Sequence, residues 1–227
     1  MKRTRSVLIC STVLNSLLIL LEVFGLSEVF FRYLPGTEPF EWYLSLTYYT
    51  NLSNILLLMG SAGMLVLDIR ELLGKKSPSF PYLLKYVGTV TTGVTFCTIY
   101  FIAFTTGEWV YAVNVHGNMW LLMHTVCPIL GLLSFCLADT ADKLKKTDFL
   151  YPVGFTLLYT GMVLLLFVNG AKVPYASFFE GGQESMTLGE IFLAALPDNV
   201  LCVVLSIALI ALNRRVLTRI KKEKKEG

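Results

Sequence analysis

Charge is what this 227-residue chain has least of. Asp, Glu, Lys and Arg make up 15% of it, against about 25% in an ordinary soluble domain, and the 55% hydrophobic share exceeds the usual ~45–50%. That balance excludes a disordered chain and argues against a soluble enzyme. The five cysteines, Cys10, Cys97, Cys127, Cys136 and Cys202, form no CxxC pair and no metal-ligand spacing, so neither a zinc site nor a redox motif is predicted. No cofactor and no metal are expected. No connection between apolar segments has room for a folded domain, so functional groups must lie within those segments, in short loops or on the tail. A small-x-small cleavage pattern is missing after the run that follows Met1-Lys2-Arg3-Thr4-Arg5. This start therefore reads as a retained first helix and not as a signal peptide.

What is present is a set of six apolar runs, approximately 6–32, 43–68, 81–106, 117–138, 149–170 and 189–213. Runs of about 20 residues, at ~1.5 Å per residue, cross a ~30 Å hydrocarbon core. They predict an all-α integral membrane protein: one six-helix bundle over 1–227, with a basic tail at 214–227. Of the 19 Lys and Arg residues, Arg32 and Lys172 fall on one side of this arrangement and the other seventeen on the opposite side. By the positive-inside rule both termini are cytoplasmic. The basic tail is read as a topology signal that touches anionic lipid headgroups, not as a nucleic-acid site. The expected location is a bacterial plasma membrane, or the endoplasmic reticulum or plasma membrane of a eukaryotic cell.

Counting residues inward from the outer face gives depth. Thr50 lies seven residues into span two, His124 seven into span four, Asp198 nine into span six, and Glu22 nine before the outer end of span one. All four fall roughly 10–14 Å below the outer surface. An unpartnered carboxylate at the centre of a span costs about 2.5–3.5 kcal/mol on insertion scales, so Glu22 and Asp198 are expected to face the interior. Thr47, Thr50, Asn51 and Asn54 sit three or four apart and make a polar stripe on one helical face. Pro128 lies four residues after His124 and cannot donate to its carbonyl, and Pro197 precedes Asp198, so both helices are expected to open beside ionisable groups. Gly88, Thr89, Thr92 and Gly93 form a small-residue face suited to close helix packing.

Each residue has a structural reading too. Thr50 could bond its own backbone four residues back. His124, Asn51 and Asn54 could be interhelical polar contacts, and Glu22 and Asp198 could form a proton path. Convergence at one depth favours a site.

Two segments carry a resemblance. Tyr48-Tyr49-Thr50-Asn51-Leu52 and Met123-His124-Thr125-Val126-Cys127-Pro128, with a weaker aromatic stretch Val173-Pro174-Tyr175-Ala176-Ser177-Phe178-Phe179, are similar to the signature regions of the androgen-induced and androgen-dependent membrane threonine hydrolases and their bacterial relatives. The resemblance implies a six-span fold, Thr50 at the nucleophile position and His124 at its partner position. It also implies hydrolysis of fatty acid esters of hydroxy fatty acids.

The chemistry of the residues is compatible with this. A threonine hydroxyl needs a base within hydrogen-bond reach, and histidine has a suitable pKa near neutrality. Asp198 or Glu22 could orient the imidazole. Asn51, Asn54 or Asn118 could donate to an oxyanion. The outer loop from Asn169 to Gly182, with Tyr175, Phe178, Phe179, Gly181 and Gly182, suits a lid or headgroup-level anchor. A lipid ester would then enter sideways from the bilayer, with membrane lipids as the other partner. A small-solute or proton-coupled transporter is the competing class, though no internal repeat is found and the prolines of spans four and six are not equivalents of a three-plus-three repeat. A noncatalytic lipid-binding protein is the third.

Overall fold

A computed structural model describes residues 3–31, 45–75, 78–107, 121–139, 144–174 and 186–226, with backbone alone for 30–31 and 218–226. The described residues are helical throughout, apart from turns, and contain no strand. Helix α1 is Arg5–Phe31, α2 Tyr49–Leu72 and α3 Phe80–Thr106. Helix α4 opens with a π turn, Leu122–Val126, and continues as Cys127–Leu137. Helix α5, Leu150–Val168, follows a single 3₁₀ turn at Lys146–Phe149, and α6 is Leu188–Glu226. Five of these helices are long and apolar enough to cross a membrane, and Leu122–Leu137 is a shorter apolar helix. Asn118, positions 108–116 of the connection before it, the starts of the predicted second and fourth spans, and Tyr175, Phe178, Phe179, Gly181 and Gly182 lie outside the described residues.

Burial runs opposite to that of a water-soluble bundle. Asn15, Glu22, Asp68 and Lys85 are wholly buried, whereas Phe104 and Leu158 are each 77% exposed and Leu20 is 68% exposed. An apolar exterior around a polar interior is stable in hydrocarbon, where each polar group needs a partner inside the protein.

The tightest contact is between α2 and α3. A Cβ on Gly60 would stand 2.6 Å from Lys85 Cα, and one on Gly88 would stand 2.6 Å from the Leu57 backbone. Small residues on both helices therefore let the two backbones touch, the usual means of association where lipid removes the hydrophobic drive. Gly88 thus packs as its small-residue face predicts, while its counterpart Gly60 escaped the sequence reading. Thr91 and Thr92 donate back to Val87 and Gly88 carbonyls, so their hydroxyls make no demand on neighbours. Tyr86, Val90, Val94, Phe135, Cys202 and Leu209 join α3, α4 and α6 in the largest apolar cluster.

Two proline expectations meet different outcomes. Pro128 follows the π turn, in which Cys127 N–H donates to Leu122 O. The widened turn accommodates the donor that Pro128 lacks, the physical cause of such a bulge. Helix α6, in contrast, stays helical through Pro197. It also continues to Glu226, beyond the limit of 213 that apolarity alone suggests.

Candidate active site

Thr50 is the second residue of α2, entered through an extended Tyr48. Asn51 Nδ2 donates to Ser45 O at 2.7 Å and folds the 45–48 turn onto the helix start. No full helical turn precedes Thr50, and its Oγ1 lies 3.2 Å from His124 Nε2. With the ring proton on Nδ1, the hydroxyl donates and Nε2 accepts, the sense that a nucleophile and its base require. Both residues are buried, Thr50 at 7% and His124 at 5% exposure. The π turn sets the direction of the imidazole by adding a residue to the turn that carries it.

Asn54, one turn along α2, donates from Nδ2 to Thr50 O at 2.7 Å and to Met123 O at 3.3 Å. It ties the helix of Thr50 to the helix of His124. Both amide protons are engaged, which leaves none for an oxyanion, and Oδ1 is buried with no hydrogen-bond partner among the described residues. Ser53 donates to Thr50 O at 2.9 Å and meets Thr95 Oγ1 at 3.3 Å.

Thr50 forms part of the wall of a cavity of about 230 Å³ between α2, α3, α5 and α6. His124 is not among its lining residues, so Thr50 is the member of the pair that reaches the chamber. Val94, Ile99, Ile102, Val163 and Ile191 supply apolar wall, and Thr95, Thr98, Thr156, Thr160 and Asp198 supply polar groups. Across the chamber, Tyr49 Oη meets Thr156 Oγ1 at 3.0 Å, and its ring stacks edge-on against Tyr159 with centroids 5.0 Å apart.

The four groups assigned to one depth are therefore not one cluster. Thr50 and His124 touch, and Asp198 shares the chamber with Thr50. Its hydrogen bond, however, comes from Thr98 Oγ1 at 2.6 Å, with none to His124 among the described residues. Glu22 does not line the chamber; it is wholly buried, with the Cys127 thiol beside its carboxyl group and Lys85 as the cation it interacts with. Thr98 was missed by the sequence reading, although its position in span three at the depth of Asp198 was a usable signal.

A second polar region, also missed, occupies the end of the bundle where α1 begins. Arg3 Nη2 pairs with Asp68 Oδ1 at 2.6 Å, and Arg3 Nε with Glu71 Oε2 at 3.2 Å. Burial opposes the Arg3 charge, but Tyr82, Asp68 and Glu71 outweigh it and move the guanidinium pKa above its ordinary value. Ser11 Oγ lies 2.6 Å from Asp68 Oδ2 and 2.8 Å from Asp139 Oδ1. Lys85 Nζ donates to Asn15 Oδ1 at 2.9 Å and to Ser61 Oγ at 2.8 Å, with Asp139 Oδ2 at 3.9 Å. Asn15 and Ser134 complete the Asp139 carboxylate. Arg3 and Lys85, counted in the sequence as topology charges, are thus interior partners.

No family model, curated protein or solved structure matches the chain.

Proposed function

We propose that the chain is an integral membrane hydrolase of lipid esters, a six-span bundle with both termini cytoplasmic, in which Thr50 is the nucleophile and His124 the general base. The observation that carries this reading is the buried 3.2 Å contact from Thr50 Oγ1 to His124 Nε2 at the wall of an apolar-sided chamber. In the acylation step Oγ1 bonds to the ester carbonyl carbon as its proton passes to Nε2. The tetrahedral oxyanion then collapses, the C–O bond to the alcohol breaks, and the leaving alkoxide takes the proton from Nε2. Water repeats the sequence on the threonyl ester and releases the acid. Thr50 sits in the first turn of α2, so the negative charge that develops there lies at the positive end of a helix dipole.

A lipophilic fluorophosphonate tests the mechanism. It is expected to label the wild-type protein on the peptide that contains Thr50, as located by mass spectrometry, and to leave Thr50→Ala unlabelled. Equal labelling of both proteins overturns the reading. Orientation is tested separately by an engineered cysteine in the 107–116 connection, which should react with an impermeant maleimide on intact cells.

A further inference from the structure

The chamber beside Thr50 has two phenol hydroxyls in its wall, Tyr49 and Tyr159, but its threonines and its one carboxyl offer it mainly hydrogen-bond acceptors. Thr95 Oγ1 donates to Thr91 O, Thr156 to Pro152 O and Thr160 to Thr156 O, while Thr98 donates to Asp198 and Thr50 faces Nε2 of His124. These hydroxyl protons point into the protein, so each threonine turns lone pairs, not a proton, toward the chamber. Asp198 adds the only carboxyl among the described lining residues, and no Lys, Arg or His lines the chamber there. One Asp198 oxygen accepts from Thr98 at 2.6 Å, and the other has no hydrogen bond among the described residues. A carboxylate at this depth without a cation is costly, and a ligand that brings a donor would offset that cost.

Resting on the hydrolase reading, we propose that Asp198 is a specificity-determining residue. It selects neutral or cationic esters that carry a hydroxyl or ammonium group within the chamber, and it turns away esters that bring a carboxylate or phosphate there. Discrimination arises from both sides: the donor satisfies an orphan acceptor, and a second anion meets like charge and an acceptor-lined wall. A volume of about 230 Å³ is below the ~300–1,000 Å³ of sites that hold a drug-sized ligand. The chamber therefore suits the polar head and the first part of one chain.

The test compares three octanoyl esters on the full chain in nanodiscs: 1-octanoylglycerol, its dimethyl ether, and the ester of 3-hydroxybutyrate. Wild type should hydrolyse the glycerol ester with kcat/KM about tenfold to a hundredfold above the other two, as expected for one hydrogen bond to a charged group. Asp198→Asn keeps an acceptor for Thr98 and turns an amide donor toward the chamber, so the gap over the ether should close and the carboxylate ester should gain. Thr98→Val, which leaves the carboxyl in place, should keep the wild-type order. Equal Thr50-dependent turnover of the three esters, or an unchanged gap in Asp198→Asn, overturns the selector and leaves the hydrolase reading standing. Absence of Thr50-dependent turnover for all three overturns the hydrolase reading instead. The selector is then decided by the unfolding temperature of Thr50→Ala protein, with and without Asp198→Asn. Octanol should stabilise more than octanoate only where Asp198 is intact, and equal stabilisation in both backgrounds overturns the proposal.

Discussion

Around Arg3 and Lys85, each carboxylate oxygen of Asp68 and Asp139 has a partner, and the Lys85 ammonium has two hydrogen-bond acceptors with a carboxylate close by. Toward the other end of the same bundle, Thr50 and His124 stand beside a cavity, the Asn54 side-chain carbonyl is buried without a hydrogen bond among the described residues, and one Asp198 oxygen has none there either. The two regions bury comparable polarity under opposite rules. A completed network holds helices in one arrangement, since losing any member leaves a buried charge uncompensated. An incomplete one keeps acceptors and space for something else at a cost in stability, the usual signature of a site.

The comparison breaks most visibly at the proposed nucleophile. Thr50→Ala should lose nearly all ester hydrolysis, and His124→Ala should lower kcat/KM by about 10²–10⁴-fold, the usual span for a general base, while the unfolding temperature in detergent stays near that of wild type. Thr50→Ser should retain part of the activity, because the hydroxyl remains. Asp139→Ala should do the reverse, costing about 3–5 kcal/mol of stability because Lys85 loses its charge partner, as measured by chemical unfolding. Specific activity of the protein that still folds should be preserved. An Asp139→Ala protein of wild-type stability would show that the network is not what holds that end together. The smallest effect is expected at Gly88→Ala, where a methyl group 2.6 Å from the Leu57 backbone should cost about 1–3 kcal/mol by overpacking. Because α2 carries Thr50 two turns away from Leu57, that variant also asks whether forcing α2 and α3 apart reaches the proposed active site. A fall in kcat/KM larger than the loss of folded protein would say that it does.

Much of the helical layout was legible because run length and hydropathy report on single segments, and hydrocarbon thickness fixes how long a segment must be. Residue count adds the coordinate of Thr50, His124, Asp198 and Glu22 along their helix axes. It gives no rotation about those axes. Asp198 faces the chamber and Thr98, and Glu22 lies off the chamber, because azimuth is set by how helices pack. The network of Arg3 and Lys85 was illegible for another reason. Its partners lie 65 residues apart in Arg3 and Asp68, and 70 in Lys85 and Asn15, and a cation near a span end looks the same whether it faces headgroups or an interior carboxylate. Ser11 and Asn15, four apart on α1, were the available hint that this face of the first helix meets polar neighbours. Asn54 illustrates the limit within the site itself, since spacing marks it as a donor near Thr50 and only geometry shows that both of its protons hold the two helices together.

The turn that carries His124 has a consequence for how this protein tolerates change in length. A π turn contains one residue more than the α-helical turn it interrupts, and each residue advances a helix by about 100°. Removing any one residue between Leu122 and Val126 would let the segment relax to regular winding while Pro128 and the packed face of Cys127–Leu137 keep their places. The imidazole inside that turn would then be re-aimed away from Thr50, with its sequence neighbourhood almost intact. For this helix the number of residues is itself a functional quantity. A silent-looking single deletion there is a heavier lesion than most replacements, and a compensating insertion within the same turn is the natural way back.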